Sequence, residues 1–144
     1  MSRETIAIAS DHAGTEMKAQ LKAVLEEQGH QVVDLGTEGT ASVDYPTFAD
    51  AVAAALQDGR AGRGVLICGT GIGISIAANR HRHVRAALCH DTTTARLSRQ
   101  HNDANVLVLG ARMVGAEVAR DCALTFFATP FEGGRHARRV ALLG

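Results

Sequence analysis

Aromatic residues, surplus charge of either sign and long apolar runs are all scarce in this chain of 144 residues. One tyrosine, four phenylalanines and no tryptophan leave the core to be built from alanine, valine, isoleucine and leucine. Fifteen basic residues balance fifteen acidic ones, which argues against non-specific electrostatic binding of nucleic acid. The first apolar run, residues 6–9, is too short for a signal peptide or a membrane span.

Cysteines and the usual metal-binding spacings are sparse as well. The three cysteines are odd in number and widely spaced, and without a secretory signal this usage predicts a reduced, cytoplasmic setting. The seven histidines form no His-Glu-x-x-His pattern, and no cysteines are paired, so we expect no metal site. No linker, repeat or low-complexity tract divides the chain, and its length predicts one domain over residues 1–144.

Short apolar runs alternate with longer periodic stretches along the chain. The runs predict five strands, at residues 5–9, 31–35, 65–68, 85–89 and 106–109. The stretches predict helices at residues 13–28, 46–58, from the glycines after residue 68 to 79, from 91 or 92 to 100, at 114–127, and after residue 134. This alternation predicts a three-layer α/β/α sandwich, Rossmann-like, whose five-stranded parallel sheet has the strand order 2-1-3-4-5.

Polar residues concentrate just after the predicted strands, where open parallel sheets bind ligands. Asp11 and His12 follow the first strand, Asp91 follows the fourth and Arg112 follows the fifth. Taken singly, each aspartate is better explained as a helix cap. Because several strand ends converge at one edge of the sheet, we nevertheless expect a functional site there.

The most specific local feature is the run Cys68-Gly69-Thr70-Gly71-Ile72-Gly73 after the third strand. Its glycines allow a tight turn that aims backbone N–H groups and a helix N-terminus at an anion. The run lacks the full dinucleotide pattern and the Gly-Lys-Ser/Thr of a P-loop, so nucleotide binding is the less favoured interpretation. Such N–H groups favour a thiolate at Cys68 that takes and returns a proton, although a buried cysteine at a strand end is common.

Two further features come late in the chain. His101 and Asn102 follow the fourth predicted helix and precede the fifth strand, which puts them at the amino edge of the sheet, away from Cys68. They either cap that helix, or His101 serves the site of a neighbouring subunit. Arg135 and Arg139 share one face of the last helix, as a phosphate site or as a solvated basic face.

Five motifs, in this order, resemble the type B ribose-5-phosphate isomerases, whose wider family includes galactose-6-phosphate and allose-6-phosphate isomerases. The motifs are Asp11-His12-Ala13-Gly14, Asp44-Tyr45-Pro46, the Cys68 run extended to Ser75, Ser98-Arg99-Gln100-His101-Asn102 and Glu132-Gly133-Gly134-Arg135-His136. The resemblance covers nearly the whole chain. It implies interconversion of ribose 5-phosphate and ribulose 5-phosphate, a step of the pentose phosphate pathway, by ring opening and proton transfer through a cis-enediolate. It implies no metal and no cofactor.

The resemblance also implies residue roles. Cys68 would carry the proton with help from Thr70; the family's alternative carrier is a glutamate at the position of Ser75. His101 would open the sugar ring, aided by Asp11. The backbone groups that would stabilise the enediolate are those of Gly69, Gly71, Ile72 and Gly73. The side chains that would hold the sugar hydroxyls are Tyr45 and Asn102, and those that would hold the phosphate are His12, Arg112, Arg135 and Arg139.

For partners, the resemblance implies a small sugar phosphate and a homodimer with shared active sites, alone or paired into a dimer of dimers, with no nucleic-acid or membrane partner. One alternative is the same reaction on allose 6-phosphate, galactose 6-phosphate or a tetrose phosphate, since loop shape around Tyr45 and residues 90–94 would sense substrate length. Another is a non-catalytic sugar-phosphate sensor. Binding alone would not need Cys68, Thr70 and His101 together, which disfavours the sensor.

Overall fold

Strands and helices alternate through residues 4–144, the part of the chain that the structure, a computed structural model, describes. Residues 1–3 of the predicted domain lie outside the described residues. The strands are β1 Thr5–Ser10, β2 Gln31–Asp34, β3 Arg63–Cys68, β4 Ala86–Leu88 and β5 Val106–Gly110. The helices are α1 Thr15–Glu27, α2 Tyr45–Gln57, α3 Ile72–Asn79, α4 Thr92–Asn102, α5 Ala116–Ala128 and α6 Arg135–Ala141, and a 3-10 turn at His12–Gly14 joins β1 to α1.

All five strands are parallel and form one sheet in the order β2-β1-β3-β5-β4. The predicted fold class, a three-layer sandwich around a five-stranded parallel sheet, is confirmed. The predicted order 2-1-3-4-5 needs a correction in its last two strands, because β5 rather than β4 pairs with β3.

Burial explains this strand order. Every residue of β5 is buried, as a central strand covered on both faces requires, whereas the three residues of β4 are only half-buried and fit an edge. The chain passes through α3 to reach β4 at the edge and returns through α4, so that β5 fills the position between β3 and β4.

The helices cover both faces of the sheet. Helices α2 and α3 pack on one face, while α1, α4 and α5 pack on the other. Alternate residues of β3 point to opposite layers, so Ile67 joins the core beneath α1 and α5 and Leu66 joins the core beneath α2 and α3. Both cores are largely aliphatic, with Phe126 and Phe127 of α5 added to one of them.

The loops that follow the strands meet at the carboxyl edge of the sheet. The amide of Asp11, just after β1, donates to the carbonyl of Ile67 in β3 at 3.1 Å. The amide of Ala111, just after β5, donates to the carbonyl of Cys68 at 2.9 Å. The ends of three neighbouring strands are thereby tied together. Among residues 4–144, no helix combines the length and the apolar composition that crossing a membrane requires.

Candidate active site

The loop between β3 and α3 turns sharply at Gly71. Its φ of 79° lies in the left-handed region that favours glycine, and α3 begins at the next residue. The turn brings the Gly71 amide back to Cys68, where its N–H donates to the sulfur at 3.2 Å. The buried Cys68 side chain is therefore held at the N-terminus of α3, with the exposed Thr70 beside it.

The backbone amides of this loop are not equally free. The Gly71 amide bonds Cys68 Sγ, and the amide of Ile72 donates to Thr70 Oγ1 at 3.1 Å. Gly73 is the second residue of α3, and the carbonyl of Gly69, four residues earlier, accepts instead from the amide of Arg112 at 2.9 Å. Gly73 therefore presents an amide that the loop's own contacts leave available to an anion.

Two side chains lie directly over the glycines of the loop. A Cβ atom at Gly69 would lie 3.7 Å from Cζ of Arg112, so the guanidinium group spans that residue. A Cβ at Gly73 would lie 2.6 Å from Cζ of Tyr45, which is closer than side chains approach. A side chain at position 73 would therefore displace the Tyr45 ring, and both polar side chains border the loop that follows Cys68.

Asp11 and His12 border the same edge from β1. The buried Asp11 carboxylate accepts from the amide of Ala13 at 3.0 Å, so it does cap the turn that follows. His12 is half-buried, and its Nδ1 accepts from the amide of Val43 at 3.2 Å. Because a backbone N–H can only donate, Nδ1 carries no proton, and the neutral ring holds its proton on Nε2.

The remaining predicted site residues lie at the opposite edge. Helix α4 starts beyond the carboxyl end of β4 and returns toward the amino end of β5. Its eleven residues span roughly 16 Å, so His101 in its last turn lies at the opposite edge of the sheet from Cys68. Asn102 lines a cleft of about 430 Å³ at the amino end of β4. Arg135 and Arg139 are exposed on α6, which packs against α4. One chain therefore does not bring this group to Cys68.

His101 has two close neighbours. Its ring stacks on the ring of His136, with centroids 4.3 Å apart and an angle of 15°. Nε2 of His136 lies 3.6 Å from Oε1 of Glu132. Burial of His136 lowers its pKa below the ordinary value, and nearby His101, Arg135 and Arg139 lower it further, while Glu132 opposes the shift.

Neither these neighbours nor the contact that anchors the segment from Asp34 to Val43 was predicted from the sequence. Lys18 of α1 is buried, and its Nζ donates to Asp34 at 2.6 Å and to Glu38 at 3.3 Å. Asp34 also accepts from the amide of Gly36 at 2.9 Å. These bonds hold the beginning of the segment that leads to Val43 against α1. Two signals were available: a lysine in the apolar stripe at positions 18, 21 and 25, and the four-residue spacing of Glu132 and His136.

Other predicted features have plain structural roles. Asp91 caps α4 by accepting from the amide of Thr94 at 2.7 Å, and this bond lowers the pKa of its carboxyl group. Cys89 and Cys122 are buried in the core and pack against its aliphatic side chains. Burial raises the pKa of both thiols, that of Cys122 to about 11. The Ser75 hydroxyl donates to the carbonyl of Ile72 within its own helix.

Comparison with known proteins identifies the family. The family model described as Ribose/Galactose Isomerase matches residues 6–143. The chain belongs to this family. The match takes in β1 to α6, and therefore both the Cys68 loop and the group around His101.

Relatives within the ribose/galactose isomerase family are similar over nearly their whole length. Ribose-5-phosphate isomerase B of Escherichia coli is 47% identical over 135 residues, which cover 94% of this chain and 91% of that protein. D-erythrulose-4-phosphate isomerase of Pectobacterium atrosepticum is 40% identical over 141 residues, covering 97% and 93%. The solved structure of ribose-5-phosphate isomerase B from Clostridium thermocellum superposes with a TM-score of 0.95 at 49% identity, covering 97% of this chain and 95% of that one.

Proposed function

We propose that this chain interconverts ribose 5-phosphate and ribulose 5-phosphate, with Cys68 as the proton carrier. The observation that carries the proposal is the position of the Cys68 sulfur, which lies at the N-terminus of α3 and accepts from the Gly71 amide at 3.2 Å. A sulfur in this place can take a proton from C2 of the open-chain aldose and return it to C1. Membership of the ribose/galactose isomerase family supports the reaction type, and the name of the E. coli relative supports the substrate.

The intermediate of this reaction carries negative charge on the enediolate oxygens, and the loop after β3 offers N–H groups to stabilise it. The Gly73 amide can do so directly. Gly71 and Ile72 can join only if the substrate displaces Cys68 Sγ and Thr70 Oγ1 from their amides. A shift of the Gly71 N–H from sulfur to enediolate oxygen would accompany uptake of the proton by Cys68, because a neutral thiol is the weaker acceptor.

Substrate contacts at this edge come from three side chains. Tyr45 Oη lies beside Gly73, within reach of a sugar hydroxyl. His12 presents its Nε2–H, and Arg112 its guanidinium group, to the phosphate. Ring opening needs a further acid–base group near the ring oxygen, and we assign it to His101, with Asp11 assisting across the site.

His101 can reach the sugar only from a second copy of the chain. It lies at the amino edge with Asn102, Arg135 and Arg139, whereas Cys68 lies at the carboxyl edge. We therefore infer a homodimer in which each site combines the Cys68 loop of one chain with the His101 group of its partner. Exposed apolar side chains beside the loop support such an interface: Ile72, Ile76 and Met113 are 53%, 60% and 56% exposed.

The same chemistry on a shorter or longer aldose phosphate is the second possibility. A relative named D-erythrulose-4-phosphate isomerase, 40% identical over 97% of this chain, supports keeping it. C1 and C2 of the sugar must lie beside Cys68 while its phosphate binds the basic side chains proposed above. The distance from Cys68 to those side chains therefore selects the number of carbon atoms in the substrate. Residues 90–94, beyond β4, lie at the edge where a longer sugar would extend.

An initial-rate comparison tests the proposal. Ribose 5-phosphate, allose 6-phosphate, galactose 6-phosphate and erythrose 4-phosphate are supplied separately, with Cys68→Ser as the control for contaminating isomerase. We expect the highest kcat/KM with ribose 5-phosphate. A higher value for another sugar assigns the chain to that substrate. Tight binding of these phosphates with no turnover would make it a sensor and overturn the proposal.

A further inference from the structure

Three metal-ligand side chains converge where α4 meets the segment before α6. His101, Glu132 and His136 each offer a ligand atom, and these atoms all lie within 4.8 Å of one another. Within residues 4–144, none of the three side chains forms a hydrogen bond that would occupy its ligand atom. They belong to parts of the chain about thirty residues apart, so the cluster exists only in the folded protein.

The backbone holds the cluster in place. The amide of Glu132 donates to the carbonyl of Gln100 at 3.1 Å, which fixes the segment before α6 beside the last turn of α4. The amide of His136 donates to the carbonyl of Gly133 at 3.1 Å and begins α6. Glu132 and His136 are four residues apart, and His136 packs flat against His101. Little of the main chain must move for the three side chains to act together.

We propose that His101, Glu132 and His136 form a binding site for a zinc-class divalent cation. Two imidazoles and one carboxylate are a ligand set that binds Zn²⁺ and leaves a fourth position open to water. Ligand atoms in a tetrahedral site lie about 3.3 Å apart, given Zn–N distances of about 2.0–2.1 Å. The half-buried His101 ring must turn out of its stack and the exposed Glu132 must swing inward, while the buried His136 supplies the fixed ligand.

Charge sets the expected strength of the site. Arg135 and Arg139 lie close enough to repel a cation, and one carboxylate offsets only part of their charge. We therefore expect weak, reversible binding, so that the cation acts as a dissociable inhibitor rather than as a resident group.

Binding of a cation at this cluster should affect catalysis, an expectation that rests on the proposed function. A cation bound to a ring nitrogen of His101 removes the lone pair with which that residue would exchange a proton during ring opening. Zinc should therefore inhibit the isomerase, and a chelator should restore it. Binding of the cation itself depends on the cluster alone.

Calorimetric titration of the metal-free, full-length protein with Zn²⁺ in a non-coordinating buffer tests the site. We expect one ion per chain, with affinity lowered at least about ten-fold in Glu132→Gln and in His136→Asn. Glu132 is exposed, so the first variant should fold normally. His81→Asn is the matched control, because His81 also contacts a carboxylate, Asp50, at 2.8 Å. No binding, equal binding by Glu132→Gln, or loss of binding only in His81→Asn overturns the proposal.

Activity assays separate this proposal from the proposed function. We expect Zn²⁺ to inhibit the parent protein and to inhibit Glu132→Gln much less, since Glu132 has no part in the proposed reaction. Binding that depends on Glu132 but leaves activity unchanged would establish the metal site and contradict the role of His101. Inhibition that is equal in Glu132→Gln and the parent would place the inhibitory ion elsewhere and overturn the site.

Discussion

His12 and Val43 are joined by a hydrogen bond in which the Val43 amide donates to Nδ1 of the imidazole at 3.2 Å. This bond excludes a proton on Nδ1 and leaves the Nε2–H as the donor of the ring. The segment that carries Val43 is tied near its start by the contact of the buried Lys18 with Asp34. Lys18, which does not contact the proposed site, thus helps to orient His12, the side chain proposed to bind the substrate's phosphate.

Substitution of His12 tests which of its nitrogens meets the phosphate. Glutamine can place its N–H₂ group near the position of Nε2, whereas the shorter asparagine reaches only the position of Nδ1. We expect KM for the sugar phosphate to rise roughly 2- to 10-fold more in His12→Asn than in His12→Gln, which is the net effect of one hydrogen bond. Equal KM values in the two variants would contradict Nε2 as the donor.

Cys68→Ser tests the proton carrier. A serine hydroxyl is far harder to deprotonate than a thiol, so kcat should fall on the order of 10²–10⁴-fold while KM changes little. Cys122→Ala is the control, since Cys122 is also buried but lies on the core-facing side of α5, and its kcat should match the parent's. Near-normal turnover in Cys68→Ser would contradict the assignment of Cys68 as the proton carrier.

The fold class could be predicted from the sequence because each element carries its own pattern. The order of the last two strands could not, because it depends on whether β4 or β5 pairs with β3, and both follow helices of similar kind. One signal did favour the observed order. Val106–Gly110 is apolar throughout, as a central strand should be, whereas Ala86–Leu88 is short and rich in alanine.

In the site, too, some features could be predicted from the sequence and others could not. The turn after β3 was predictable because glycines adjacent in sequence define it, and the structure shows how Gly71 and Gly73 are used. The contacts of His12 with Val43 and of His101 with His136 join residues about thirty apart, and no local pattern marks them. The catalytic and binding roles carried over from the family resemblance stay predictions.

The arginines of α6 allow a test with an exposed arginine elsewhere in the chain as the control. Arg135→Ala and Arg139→Ala should each raise KM strongly, because a charge-assisted bond to phosphate contributes about 1.5–3 kcal/mol, or roughly 10- to 150-fold. Arg60 is an exposed arginine outside α6 that already pairs with Asp58 at 2.8 Å, so Arg60→Ala should leave KM nearly unchanged. If all three variants bind a phosphorylated inhibitor as the parent does, this helix carries only a solvated basic face.

Stability at alkaline pH should depend on Cys122. Its pKa is raised from 9.0 to about 11 by burial, so between these values the thiol ionises in the unfolded chain but not in the folded one. The unfolded chain alone gains from ionisation, and the free energy of unfolding should fall as pH rises through this range. Denaturant titrations should show a shallower decline for Cys122→Ala. Parallel declines in the two proteins would contradict a buried, neutral Cys122.

The shared active site can be tested by mixing two inactive proteins. Cys68→Ser and His101→Ala homodimers are dissociated together in equal amounts and allowed to re-form. A heterodimer built as proposed has both lesions in one site and none in the other, so random pairing should restore about a quarter of the parent's activity. If each site lay within one chain, every site would keep one lesion and activity would stay low. A mixture of Cys68→Ser with Cys68→Ala is the control, because each of its sites lacks the sulfur under either arrangement. Heterodimers confirmed by mass but without recovered activity would exclude the shared site.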